Sequence, residues 1–153
     1  MFHPFAIAAL EDGQAQMARM QAAAVPGTRM LVFIDRPYEL DFARNRIETA
    51  DCPGRVSPPP GLPLAGSDDG VLSYLRGQGV RYLAYSYGDD NSYSPQLLDA
   101  RMKDADHPYA AYCSRGMSRI QGFMRRMRQN FRAVYDDGET FLIDLDQAAR
   151  PAN

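Results

Sequence analysis

The chain has 153 residues, which fits one domain with a real hydrophobic core and is too short for two ordinary ones. Hydrophobic residues at 45% and charged residues at 24% are ordinary globular values that argue against disorder. No run approaches the roughly 20 apolar residues of a membrane span, and a formal net charge of −2 excludes a globally basic nucleic-acid binder.

Residues 5–24 read as a helix in which Leu10, Met17, Met20 and Ala24 recur at helical spacing, with Gly13 as a weak point and Pro26-Gly27 as its end. Its apolar start, Phe5 to Leu10, runs at once into Glu11 and Asp12 and lacks a basic region before it, so it does not have the form of a signal peptide. Met30 to Ile34 is a short continuous apolar run, the pattern of a strand covered on both faces. Polar groups crowd its exit: Asp35, Arg36, Asp41, Arg44, Asn45, Arg46 and Asp51. A thinner strand signal covers Arg46 to Ala50. Ser57-Pro58-Pro59-Pro60-Gly61 then holds a long segment outside any helix or central strand.

Ser67 and Asp68 supply N-cap chemistry for a helix carrying Val71, Leu72 and Leu75, closed by Gly77 and Gly79, and Val80 to Tyr87 follows as a β-rich run. Strand, helix and strand in that order predict a βαβ crossover and a sheet that is at least partly parallel. A further helix is expected from Pro95 to about His107, interrupted by Pro108, and a stronger one from Ser114 to about Arg132. In the latter, Met117, Ile120, Met124, Met127 and Phe131 form an apolar stripe opposite Arg115, Arg119 and Arg126. Ala133 to Tyr135 and Thr140 to Leu145 flank an Asp-Gly turn and predict a closing hairpin. The expected fold is a single small, three-layer α/β domain spanning residues 1–153. It has a mixed sheet of about four to five strands, a βαβ crossover, a C-terminal β-hairpin and about three to four helices.

In an open α/β sheet, ligands sit beyond the carboxyl ends of parallel strands, which places Asp35 and Arg36 beside Asp89, Asp90 and Asn91 as the candidate ligand site. These groups suit a hydroxylated ligand, or a cation held by hard oxygen atoms. Asp35, Arg36, Asp41, Arg44 and Asn45 equally suit an internal network that holds the proline-rich loop against the sheet, and that structural role is preferred. Cys113 lies near His107 and Asp106, the residue types of a nucleophilic triad, but all three fall in one short segment without a strained nucleophile turn. No catalytic residue, metal site or cofactor is assigned. Two cysteines, Cys52 and Cys113, permit at most one intrachain disulfide, and the sequence leaves their pairing open. Six arginines and no acid lie between Arg115 and Arg132, so the face carrying Arg115, Arg119 and Arg126 is a candidate contact with an anionic surface.

The runs DRPYELDFARNRI, DCPG with SPPPGLP, YLRGQGVRYLAYSY and VYDDGETFLIDL resemble the C-terminal extracytoplasmic part of bacterial polytopic membrane glycosyltransferases of the GT-C type, relatives of polyprenyl-phosphate-dependent mannosyltransferases. The resemblance covers about Pro26 to Leu145 and is one of scaffolding, because none of these motifs is a catalytic signature. It implies a non-catalytic domain on the extracytoplasmic face of the inner membrane that covers the membrane active site or aids acceptor selection. The expected partners are the membrane region of a parent transferase or an anionic membrane surface, with a lipid-linked sugar nearby and no nucleic acid. Residues 1–25 would then serve as a connector from a membrane region, and the chain would be a fragment or a detached domain. In such enzymes the catalytic acid lies in an early loop near the first spans, so the isolated chain is expected to be inactive. A free-standing ligand-binding or interaction module is the alternative, and a small hydrolase using the strand-end carboxylates is a third reading.

Overall fold

The computed structural model describes residues 4–50, 52, 61–87 and 94–147, with 4–11 as backbone alone. Its elements run α1 (Pro4–Ala22), β1 (Arg29–Phe33), a 3-10 turn (Pro37–Glu39), β2 (Arg46–Thr49), α2 (Asp68–Gly77), β3 (Val80–Ser86), α3 (Pro95–Met102), α4 (Pro108–Asn130), β4 (Ala133–Asp136) and β5 (Thr140–Asp144). The strands form one mixed sheet in the order β2-β1-β3-β5-β4. β1 is parallel to both β2 and β3, whereas β5 is antiparallel to β3 and to β4. The expected βαβ crossover is β2-α2-β3, and it carries the chain past β1 to the far side.

Side chains alternate across a strand, so each central strand serves two cores. Met30 and Val32 of β1, with Tyr82 and Ala84 of β3 and Leu142 of β5, meet Met17, Met20 and Ala24 of α1 and the segment that follows it. Leu31, Phe33, Leu83, Tyr85, Phe141 and Ile143 face the other way, against Val71, Leu72 and Leu75 of α2 and Ile120, Met124 and Met127 of α4. Three layers follow, with α1 on one face and the remaining helices on the other. Tyr82 and Tyr85 are core residues, as strand propensity for aromatic side chains favours.

Helix starts follow local chemistry. The Ser67 hydroxyl accepts from the Gly70 N–H at 3.2 Å and the Ser94 hydroxyl from the Leu97 N–H at 3.3 Å, each satisfying one amide that α2 or α3 leaves open. Two boundaries correct the sequence reading. α3 stops at Met102 rather than near His107, because Asp104 folds the chain into a turn by accepting from the Asp106 N–H at 3.0 Å and pairing with the His107 ring at 2.8 Å. α4 starts at Pro108 rather than Ser114: proline opens a helix at no cost in the first turn, where its missing N–H has no intrahelical partner anyway. In the β4–β5 hairpin, Gly138 adopts φ +87°, and Asp137 Oδ1 accepts from the N–H groups of Glu139 and Thr140 at 3.0 and 2.8 Å.

Cys52, just beyond β2, is disulfide-bonded to Cys113 in the first half of α4. The bond spans 61 residues and ties the edge of the parallel half of the sheet to the helix that covers it. A loop of that length corresponds to about 4 kcal/mol in the chain-entropy picture of cross-linking.

Candidate functional site

The strand that follows β1 in the chain, β2, lies on one side of the β1–β3 pair, and the strands that come after β3 lie on the other. In open α/β sheets such a reversal of strand order marks the carboxyl ends of the two strands as the place where ligands bind. Asp35 and Arg36 follow the end of β1. Asp89, Asp90 and Asn91 lie outside the described residues. The Asp35 N–H donates to Ser86 Oγ at 3.4 Å, and Ser86 Oγ lies 3.3 Å from Thr140 Oγ1, a buried hydroxyl pair that closes the seam between β3 and β5.

A cavity of about 420 Å³ is bounded by Asp12, Gly13, Gln16 and Arg19 of α1, Arg36, and Asp137 and Glu139 of the hairpin. Gln16 Nε2 donates to Asp137 Oδ2 at 2.9 Å and to Glu139 Oε2 at 2.8 Å, so one amide clamps two carboxylates of the turn. The Tyr135 hydroxyl donates to the same Asp137 oxygen at 2.7 Å. Burial opposes ionisation of Asp137, but the Gln16 amide, the Thr140 N–H and the Tyr135 hydroxyl together hold its pKa at about 2. Burial, and then donation to Asp137, push the Tyr135 phenol above its ordinary value.

Arg36 lines the cavity. Its guanidinium lies over Gly13, so close that a Cβ there would stand 2.5 Å from Cζ. Nη1 lies 3.6 Å from Oε1 of Glu39, whose side chain is only 2% exposed and has no hydrogen-bond partner among the described residues. Arg36 is therefore the counter-ion of a buried carboxylate and at the same time a wall of the cavity. The alternation of cationic, anionic and amide groups suits a hydroxyl-rich ligand that both donates and accepts. No group of three or more metal-ligating side chains occurs among the described residues.

Asp41, Arg44 and Asn45 take part in a polar network with the end of α1. Gln21 of α1 exchanges hydrogen bonds with the Asp41 backbone, donating to its carbonyl and accepting from its N–H, both at 2.8 Å. Asn45 Nδ2 donates to the Val25 carbonyl at 2.9 Å, and an Arg44 guanidinium nitrogen donates to the Ala24 carbonyl at 3.1 Å. These bonds fasten the β1–β2 connection to the end of α1 and the turn after it. Ser57 to Pro60 lie outside the described residues. Gln16 and Gln21 were missed in the sequence, because glutamine inside a helix gives no signal of long-range pairing.

The triad weighed and set aside around Cys113 finds no support: its sulfur is bound to Cys52, so no thiolate forms while the disulfide stands, and His107 pairs with Asp104. Of the three arginines singled out on α4, Arg126 is engaged with Asp68, donating from Nε and Nη2 at 2.6 and 2.9 Å. That bonding leads in holding the Asp68 carboxyl below its ordinary value. Arg115 and Arg119 have no ion pair among the described residues and border a groove against residues 62–65.

Comparison of the chain with protein-family models, with curated proteins and with solved structures finds no match.

Proposed function

We propose that this is a non-catalytic extracytoplasmic domain of a membrane glycosyltransferase that uses a lipid-linked sugar, with a role in covering the membrane active site or selecting the acceptor. The observation that carries the location is the Cys52–Cys113 disulfide, since such bonds form and persist chiefly in oxidising compartments outside the cytosol. One of its cysteines belongs to the D-C-P-G run on which the resemblance rests. The cavity bounded by Gln16, Arg36, Asp137 and Glu139 supports acceptor recognition, because its mixed donors and acceptors match sugar hydroxyls. That same cavity favours a free-standing ligand-binding module as the second reading.

The genomic reading frame and thiol alkylation in intact cells test the proposal together. The expected results are an upstream continuation into many apolar spans and cysteines that resist alkylation until reduced. A frame that starts at Met1 behind its own ribosome-binding site, or freely alkylated cysteines in the native host, would overturn it. A purified chain that turns over a lipid-phosphate sugar or an ester, and loses this with Asp35→Asn, would overturn the non-catalytic assignment.

A further inference from the structure

α4 contains five arginines and no acidic residue, yet its arginines are not equivalent. Arg126 is paired with Asp68 and Arg128 with Asp136, whereas Arg115 and Arg119 lack a carboxylate partner among the described residues. Tyr109, Tyr112, Arg115 and Arg119 follow one another by three and four and so share one helical stripe. Tyr109 and Tyr112 are 57% and 48% exposed, and their rings stack with centroids 6.5 Å apart. Beside them, a groove of about 320 Å³ runs between α4 and residues 62–65, floored in part by Leu62 and Leu64. The nearest acids before the helix are Asp104 and Asp106, and Asp104 is engaged with His107.

Stacked exposed tyrosines, an apolar floor and two unpaired guanidiniums form an amphipathic surface with one sign of charge. Tyrosine rings settle at the level of lipid headgroups, and arginine stems lie along apolar surface while their heads reach phosphates. A basic side chain near an anionic leaflet adds to this attraction. We infer that the stripe Tyr109, Tyr112, Arg115 and Arg119, with its adjoining groove, is a docking surface for an anionic lipid membrane. The disulfide gives the surface its rigidity, since Cys113 lies next to Tyr112 and the Tyr109 hydroxyl stands 3.6 Å from Cys52 Sγ. Arg126 does not belong to the surface, because Asp68 holds it. This docking surface does not depend on the transferase reading.

Flotation of the purified chain with phosphatidylcholine vesicles, with and without phosphatidylglycerol, tests it. Retention is expected only on the anionic vesicles and should fall as salt is raised. Arg115→Glu/Arg119→Glu should lower the retained fraction's apparent affinity by about tenfold or more. Arg125→Glu/Arg132→Glu changes net charge equally, on exposed residues away from the stripe, and should have little effect. Both pairs are read only with unchanged melting temperatures; if the first pair lowers it, Arg115→Gln/Arg119→Gln takes its place. The chain has no tryptophan, so Tyr112→Trp introduces a single indole whose emission should shift to the blue on binding. Equal retention on neutral vesicles, equal loss in the two charge-reversal pairs, or an indole that stays in water would each overturn the inference. These outcomes do not bear on the reading frame or the thiols, so the two proposals fail separately.

Discussion

The guanidinium of Arg36 fills the space that a side chain at position 13 would need, so Gly13 and Arg36 form a matched pair across α1 and the β1 exit. A glycine inside a helix costs about 1 kcal/mol relative to alanine. Here it makes room for the counter-ion of the buried Glu39 carboxylate.

Gly13→Ala should therefore fail to stabilise the protein, because it displaces Arg36 from Glu39. In an Arg36→Ala background the same change should stabilise by up to about 1 kcal/mol. Denaturant unfolding of the four variants gives the coupling directly. Equal stabilisation in both backgrounds would show that the two residues do not interact.

Ile120 is 1% exposed in the centre of the α4 stripe, between α4 and the sheet. Ile120→Asp places a carboxylate there without a partner, at a cost of several kcal/mol against a typical stability of about 5–15. The variant should lose cooperative thermal unfolding as followed by circular dichroism. A melting temperature equal to that of the parent chain would contradict the packing.

Reduction of the Cys52–Cys113 bond should lower stability by up to about 4 kcal/mol, because the unfolded chain regains the freedom of the loop that the bond closes. Cys52→Ser/Cys113→Ser in the absence of reductant should match the reduced parent. Melting curves that coincide with and without dithiothreitol would mean that the bond contributes nothing to folding.

Asp137 has its pKa lowered to about 2 in the folded state, from an ordinary 3.8, so it binds a proton less readily folded than unfolded. Its contribution is thus present above about pH 4 and is lost as pH falls towards about 2. The residue is exposed and its carboxylate only partly desolvated, so solvent screening keeps that contribution at or below about 1 kcal/mol. Asp137→Asn keeps the Oδ1 acceptor for the turn and removes the titrating group. The acid limb of its stability curve should be shallower across that window, and an unchanged limb would leave Gln16 and Tyr135 without the assigned effect.

Much of the fold is legible in the sequence where the signal is local. Met30 to Ile34 and Val80 to Tyr87 show their burial through continuous apolar composition, and Ser67, Pro95 and the Asp137-Gly138 turn mark element ends through the backbone groups they satisfy. The α4 stripe is equally plain, since a period of three and four residues needs no partner to be recognised. Pro108 misled because the same ring that breaks a helix interior also opens a helix, and only the position of the first turn separates the two.

The candidate site is legible only in part. A sheet rule brings Asp35 and Arg36 to a strand exit, but nothing local reveals that Gln16, 121 residues before Asp137, clamps the hairpin carboxylates. Nor does the sequence distinguish Arg126, held by Asp68 from 58 residues away, from Arg115 and Arg119 on the same face. Sequence alone determined which residues are apolar, which segments become helices and strands and roughly how many there are, because these depend on neighbours a few positions apart. Tertiary structure decided the Cys52–Cys113 pairing, the burial of Glu39 beneath Arg36 and the charges left unpaired, because each depends on distances set by the order of strands in the sheet.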